Sequence, residues 1–335
     1  MKKTRVNKKA SMADVASAVG VSKTTISRYL HGEYAFMSEE TKAKIEQVIK
    51  DLDYRPNKMA QSLKSDKSNM IGVSIADIGN PFSSLLLKGI QEECRKHDIQ
   101  LLVSDANNST EYEKENIEAL LDAQVDGIII NTVGNNQDYL EQYMEKVNHK
   151  PMVLLDRIQY PLICDSITNN NYEVTKEMLK YLKEKQFSNI IFVTPENDGI
   201  STRSIRKQAV YDAIKEGMQG NIVIYHDDID ELEKLIKNMI KPEEKVCIFA
   251  NNDEVVRDIL EILERLSLTN IGICAFADKK WAKYSGSGIT CIDQNPFHMG
   301  EVSAQKLLQR IQGDTSAYEL IEIPGKLYIY RSTEL

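Results

Sequence analysis

Near the start of the chain, apolar positions recur at helical spacing. Within Met12–Leu30, Val15, Ala16 and Val19 fall on one face of a first helix, and Ile26, Tyr29 and Leu30 on one face of a second. Between them, Gly20 permits the left-handed turn that a residue with a Cβ resists, and Ser22 is suited to cap the second helix. A third helix follows Ser38, with Glu39 and Glu40 set against its dipole and Ile45, Val48, Ile49 and Leu52 as its buried stripe. Asp53-Tyr54-Arg55-Pro56 stops it, because proline disfavours the helical region for the residue before it. Next, Asn57–Lys64 has the pattern of a short helix that is unstable alone, and Ser65–Ser68 reads as a polar linker.

From Asn69 the period changes. Ile71–Ile75, Gln100–Val103, Gly127–Ile130 and Met152–Leu155 are short apolar, β-branched runs separated by amphipathic helical stretches. The cycle restarts after Asn169–Tyr172, with runs at Ile190–Val193, Ile222–Ile224, Val246–Phe249 and Ile271–Phe276. Alternation of this kind predicts parallel α/β sheets, and two successive units of similar size predict two lobes. Ligands in such sheets bind outside the carboxyl ends of the strands, which puts one in the cleft between the lobes. The expected organisation is a helical domain over 1–56 and a hinge helix and linker over 57–68. A first core lobe then takes 69–167 plus 296–317, and a second takes 168–295 plus 318–335.

Composition narrows the class. With 335 residues, 42% apolar and 27% charged, the chain has the profile of a folded globular protein of two or three domains. No stretch approaches a membrane span, and the basic N-terminus is followed by no apolar segment, so a cytoplasmic location is expected. Cys94, Cys164, Cys247, Cys274 and Cys291 are scattered and lack metal-ligand spacing; they read as buried thiols. The net charge of −8 hides a segregation. Residues 1–68 carry 14 Lys and Arg against 8 Asp and Glu, or +6; the remainder carries 28 against 42, or −14. A basic head on an acidic body points to an anionic partner for the head alone. Lys23, Thr24, Ser27 and Arg28, on the outer side of the second helix, are donors suited to phosphates and base edges. A helical hairpin with a merely solvated face is the other reading.

Phosphate-loop, dinucleotide, nucleophile-elbow and zinc-protease motifs are absent, and Ser285-Gly286-Ser287-Gly288 reads as a plain loop. The expectation is a protein that is not an enzyme and needs no cofactor.

The stretches DVASAVGVSKTTISRYL, YRPN and AQSL, followed by IGVSIADIGNPF, resemble the lactose-repressor/galactose-repressor family of bacterial transcription regulators. The resemblance runs from Met12 to Arg331-Ser332-Thr333. It implies a helix-turn-helix domain, a hinge helix and a core like the periplasmic sugar-binding proteins. It also implies a repressor that binds pseudo-palindromic operator DNA as a homodimer and changes its affinity when an effector fills the cleft. Induction and corepression both fit, and nothing singles out a phosphocarrier protein as corepressor. A tetramer would need a further C-terminal heptad segment, which the sequence lacks. By the same resemblance Lys23 and Thr24 read bases, and Ser22, Thr25, Ser27 and Arg28 contact the backbone or adjacent bases. Asn57 and Ala60 lie in the hinge helix, and Leu63 is a minor-groove wedge or a linker leucine packed on the core. A sugar-binding module without sequence-specific DNA activity is the alternative.

Strand ends nominate the effector site. Asp77, Asn80 and Phe82 follow the first strand, Asp156 and Arg157 the fourth, Arg203 and Arg206 the 190–193 strand, Asn252 the 246–249 strand, and Asp278 and Trp281 the 271–276 strand. The resemblance matches Asp156, Arg206, Asn252 and Gln294 to effector-contacting positions and Trp281 to an aromatic near the pocket. Each is also readable as a loop or interlobe contact. Two departures matter: Ala277 replaces an aspartate common in sugar-binding members, and Asn170 stands where a carboxylate is frequent. Fewer carboxylates beside Arg157, Arg203 and Arg206 favour an anionic effector, a keto-deoxy-gluconate-like sugar acid or a sugar phosphate, and the STRSIR and NNN stretches resemble the uronate/ketogluconate-responsive branch of the family. Asp77, Asp156 and Asp278 leave a neutral sugar open.

Overall fold

The computed structural model describes residues 10–35, 37–55, 67–134, 137–146, 150–196, 199–241 and 243–335. The chain divides into two units, residues 1–68 and 69–335.

In the first unit, helices α1 (Met12–Val19), α2 (Lys23–Leu30) and α3 (Glu39–Asp51) share a core of Val15, Ala16, Val19, Ile26, Ile45 and Tyr54. Ser11 and Asp14 form a reciprocal capping box on α1. Ser22 Oγ accepts the Thr25 N–H and Ser38 Oγ the Thr41 N–H. Gly20, at φ +83°, ends α1 in the left-handed conformation and lets the chain turn directly into α2. The stripe expected for α3 is shorter than its sequence. Leu52 is 39% exposed, because the helix stops at Asp51 and the chain turns away; Tyr54 enters the core instead.

The second unit holds two six-stranded sheets. The first contains β1 (Met70–Ile75), β2 (Gln100–Asp105), β3 (Gly127–Asn131), β4 (Met152–Leu155), β5 (Asp165–Asn169) and β11 (Leu320–Ile323), in the order β11-β5-β4-β3-β1-β2. The second contains β6 (Asn189–Pro195), β7 (Gly220–Tyr225), β8 (Val246–Ala250), β9 (Gly272–Phe276), β10 (Thr290–Asp293) and β12 (Lys326–Tyr328), in the order β12-β10-β9-β8-β6-β7. All pairings are parallel except β10 with β12. Helices α4 (Pro81–Lys96), α5 (Thr110–Asp122), α6 (Gln137–Lys146) and α12 (Pro296–Ile311) pack in the first lobe. Helices α7 (Asn171–Glu184), α8 (Ser201–Lys215), α9 (Ile229–Met239), α10 (Asp253–Arg265) and α11 (Lys279–Tyr284) pack in the second. All five cysteines are buried free thiols, with Cys247 Sγ 3.8 Å from Cys274 Sγ.

The chain crosses between lobes after β5, after β10 and between β11 and β12. The last crossing corrects the expected boundary at 318: Leu320–Ile323 pairs in register with Ser166–Asn169, so 320–323 belongs to the first lobe. The crossing lies at Pro324-Gly325, whose proline lacks the N–H to extend a ladder. Asparagines from the first crossing hold it. Asn169 Nδ2 donates to the Ile323 carbonyl at 2.7 Å, and Asn170 Oδ1 accepts the Gly325 N–H at 2.7 Å.

Two features lock the first lobe. Gly89 of α4 and Gly300 of α12 lie where a Cβ on either would land on the other helix's backbone carbonyl, of Phe297 or Leu86. Asp165, fully buried at the head of β5, accepts Arg310 Nε at 2.6 Å and Nη2 at 3.0 Å in a bidentate pair.

Candidate functional site

The DNA-reading candidate is α2. Ile26 is buried, which turns Lys23, Thr24 and Arg28 outward, all exposed, with Ser22 beside them. Ser22 Oγ and Thr25 Oγ1 lie 3.0 Å apart, so these two hydroxyls also shape the entry to the helix. Ser27 is half-buried; its carbonyl accepts from His31 Nδ1 at 2.7 Å. The outward face thus presents two cations and two hydroxyls on a short, capped helix. Asn57, Ala60 and Leu63 lie outside the described residues.

In the body, the carboxyl ends of the two sheets face each other. The Ile158 N–H, after β4, donates to Ser201 Oγ at the start of α8 at 2.8 Å, tying lobe to lobe. On the first lobe, Asp156 sits at φ +71°, a left-handed conformation that costs a residue with a Cβ, and only 8% of it is exposed. Its Oδ1 has no hydrogen-bond partner among the described residues. Burial pushes the Asp156 carboxyl up, against the pull of Arg157 and Arg206. Arg157 Nη1 donates to the Thr132 carbonyl at 2.8 Å, and its Nε lies 4.0 Å from Asp156 Oδ2. Burial lowers Arg157; Asp156, Glu113, Asp77 and, from α10, Glu254 oppose that shift. Asp77 Oδ1 accepts the Gly79 N–H at 2.8 Å and Asn80 Oδ1 the Phe82 N–H at 2.9 Å, so both shape the turn into α4. Phe82 is half-buried against the first lobe's core.

On the second lobe, Arg206 is 5% exposed, and its guanidinium lies 3.6 Å over the Phe276 ring. Nε donates to Asn171 Oδ1 at 2.7 Å, Nη1 to the Asn251 carbonyl at 2.8 Å and to Asn251 Oδ1 at 3.2 Å, and Nη2 to Gln294 Oε1 at 2.5 Å. Burial lowers Arg206 to about 10, so it stays cationic at neutral pH. Arg203, one turn earlier on α8, donates to the Glu196 carbonyl at 2.6 Å, and its charge is felt by Arg206.

The geometry shifts two expected residues by one position. Asn170 is not brought to the arginine, because its Oδ1 is committed to Gly325 at the crossing; Asn171 is the one that reaches. Asn252 caps α10 through the Val255 N–H, and Asn251 turns back onto Arg206. Asp278 likewise caps α11, accepting the Lys280 and Trp281 N–H groups, and Trp281 packs on the second lobe's core. Sequence reasoning missed Asn171, Asn251 and Phe276, and only their places at strand ends mark them. A separate cavity, lined by Leu260, Leu263, Leu268, Ile271, Ile273 and Arg331, opens at the amino end of the second sheet and includes none of these groups.

Comparison with known proteins agrees with both halves of this arrangement. Residues 11–57 match the bacterial regulatory proteins of the lacI family, and residues 71–315 match a periplasmic binding protein domain. The HTH-type transcriptional regulator KdgR of Bacillus subtilis strain 168 is 36% identical over 332 residues, covering 96% of this chain and 97% of that one. The HTH-type transcriptional regulator PtxS of Pseudomonas aeruginosa is 30% identical over 330 residues, covering 97% and 96%. A crystal structure of the lac repressor dimer bound to operator and the anti-inducer ONPF aligns with a TM-score of 0.86 at 21% identity, covering 97% of this chain and 99% of that one, a likeness of fold. Similarity of this extent spans both the helix-turn-helix head and the two-lobed body, and the chain belongs to the lacI family of transcription regulators, with a DNA-binding head and a sugar-type effector domain.

Proposed function

We propose that this regulator acts in the cytoplasm as a homodimer on pseudo-palindromic operators, and that its effector is a small sugar acid or sugar phosphate held between Asp156 and Arg206. One observation carries the effector class. The buried Arg206 makes no ion pair among the described residues; its hydrogen bonds all go to the neutral acceptors Asn171, Asn251 and Gln294. A guanidinium has five N–H donors, and one on Nη2 remains for a ligand. A buried cation with no carboxylate in direct contact, acted on by Asp156 only from a distance, favours an anionic guest. The unpartnered Oδ1 of Asp156 supplies the complementary acceptor for a hydroxyl, so an acidic sugar satisfies both ends at once.

That acceptor also supports a second reading, a neutral sugar held by hydroxyls alone. Calorimetric titration of the full-length protein separates the two. Gluconate-type acids should bind at least about tenfold tighter than their neutral parent sugars, a difference of about 1.4 kcal/mol. Binding of the neutral sugars alone would overturn the acidic reading.

The homodimer is supported by the free edge of the first sheet. There β2, paired with β1 alone among the described residues, leaves Leu102 and Val103 39% and 38% exposed on an edge strand, a surface that monomers usually protect. Paired heads on two half-sites add avidity that one short recognition helix lacks. Sedimentation at micromolar concentration should give twice the chain mass; a monomer bound to operator would contradict it.

A further inference from the structure

Glu113 belongs to none of the groups assigned above. It lies in the first turn of α5 and is fully buried. Oε2 accepts the Val133 N–H at 2.6 Å and Oε1 accepts the Thr132 hydroxyl at 3.1 Å. Both donors sit in the turn after β3, at the carboxyl end of the first sheet. The Thr132 hydroxyl in turn accepts the Gly134 N–H at 3.2 Å, and the Thr132 carbonyl accepts Arg157 Nη1 at 2.8 Å. Glu113, the 132–134 turn and Arg157 therefore form one continuous hydrogen-bonded chain from the interior of the lobe to the cleft.

Among the described residues, the ionisable groups that face Glu113 are Arg157 and Tyr139. Arg157 comes from the loop after β4, and Tyr139 from α6. The Tyr139 hydroxyl donates to the Lys114 carbonyl at 3.2 Å, and the Lys114 ammonium sits 5.2 Å from the centre of the same ring. Among the described residues, Arg157 is the cation that acts on the Glu113 carboxylate.

We propose that Glu113 is a positioning and specificity-determining residue for the effector: it seats Arg157 through the 132–134 turn, and its charge state sets how much of the Arg157 charge reaches the ligand. The ligand half of this inference rests on the acidic-effector reading; the Glu113–Arg157 coupling does not. Beside Asp156, which acts more strongly on Arg157, ionised Glu113 offsets part of the Arg157 charge, and protonated Glu113 removes that part of the offset. Burial pushes the Glu113 carboxyl up to about 7, so both forms are populated near neutrality. An anion beside Arg157 competes with the Glu113 charge, favours its protonated form and so takes up as much as one proton on binding. A neutral sugar does neither.

The test has a ligand-free arm and a ligand arm, both on the full-length protein. Thermal midpoints are measured from pH 5.5 to 8.5 for wild type, Glu113→Gln, Arg157→Gln and the double variant. A carboxyl whose folded value is raised stabilises the fold at low pH and loses that contribution as pH rises through about 7. Wild type should therefore lose stability relative to Glu113→Gln across that window. In Arg157→Gln the loss should be larger and reach to higher pH. The pairwise coupling should be clear at pH 8 and vanish at pH 5.5. Coupling that is absent, or equal at the two pH values, overturns the proposal. If Glu113→Gln does not fold, Arg157→Gln alone decides, through the upward move of the wild-type window or its failure to move. In the ligand arm, gluconate should bind wild type about three- to tenfold tighter at pH 6 than at pH 8, and Glu113→Gln equally at both. Gluconate binding that is pH-independent in wild type overturns the specificity role. No gluconate binding, with the pH-dependent coupling present, refutes the acidic effector and leaves the positioning role standing.

Discussion

Arg206 organises the second lobe's half of the cleft. Lysine in its place would keep a positive charge but lose the planar fork over Phe276 and strand the acceptors of Asn171, Asn251 and Gln294. Arg206→Lys should cost about 1–3 kcal/mol of stability in thermal denaturation and abolish effector binding in calorimetry. In the head, Lys23→Ala and Arg28→Ala should each weaken operator binding. If either residue contacts phosphate, the slope of log affinity against log salt should fall by about one unit. Residue by residue, the sequence was legible where chemistry is rare and illegible where it repeats. Asp156 and Gln294, just after strands, and Arg206, in the helix after β6, each differ from their immediate neighbours in charge, side-chain length or head group; members of the asparagine runs do not. Asn169-Asn170-Asn171 and Asn251-Asn252 offer runs of one chemistry, and only backbone direction decides which member caps, which holds the crossing and which reaches the arginine.

Among the elements, the contact of α4 with α12 tolerates no added atom at Gly89 or Gly300. Gly89→Ala must push two helix backbones apart and should destabilise by about 1–3 kcal/mol or more, read by chemical denaturation. Arg310→Ala leaves the buried Asp165 without its bidentate partner, with Lys306 Nζ still 3.9 Å away; a loss of about 3 kcal/mol is expected. Both changes fall away from the carboxyl ends of the strands, Arg310 pairing at the amino end of β5, so effector affinity in the surviving folded fraction should hold. The long apolar strands and amphipathic helices announced themselves by period. β5 did not, because Asp165-Ser166-Ile167-Thr168-Asn169 is mostly polar and buried only by virtue of its ion pair and hydrogen bonds. β11 has an apolar pattern but no signal of which sheet it joins; that follows from its long-range register with β5.

At the scale of the whole molecule, the net charge of −8 separates into a +6 head and a −14 body. The head's sign suits it to phosphates, while the body's sign opposes non-specific contact with them. Effector binding can alter DNA affinity only if the ligand binds one conformational state better than another. The three crossings between lobes, with Asn169 and Asn170 clasping Ile323 and Gly325, are the elements that must flex when the lobes move. The most direct test uses fluorescence anisotropy of the full-length protein on a DNA site selected from a random pool. Operator affinity is measured without ligand, with gluconate-type acids and with their neutral parent sugars. A shift of at least about fivefold with an acid, in either direction, and none with the neutral sugars is the expected result. An operator affinity that no acid changes, or one that only the neutral sugars change, would contradict an acid-responsive repressor.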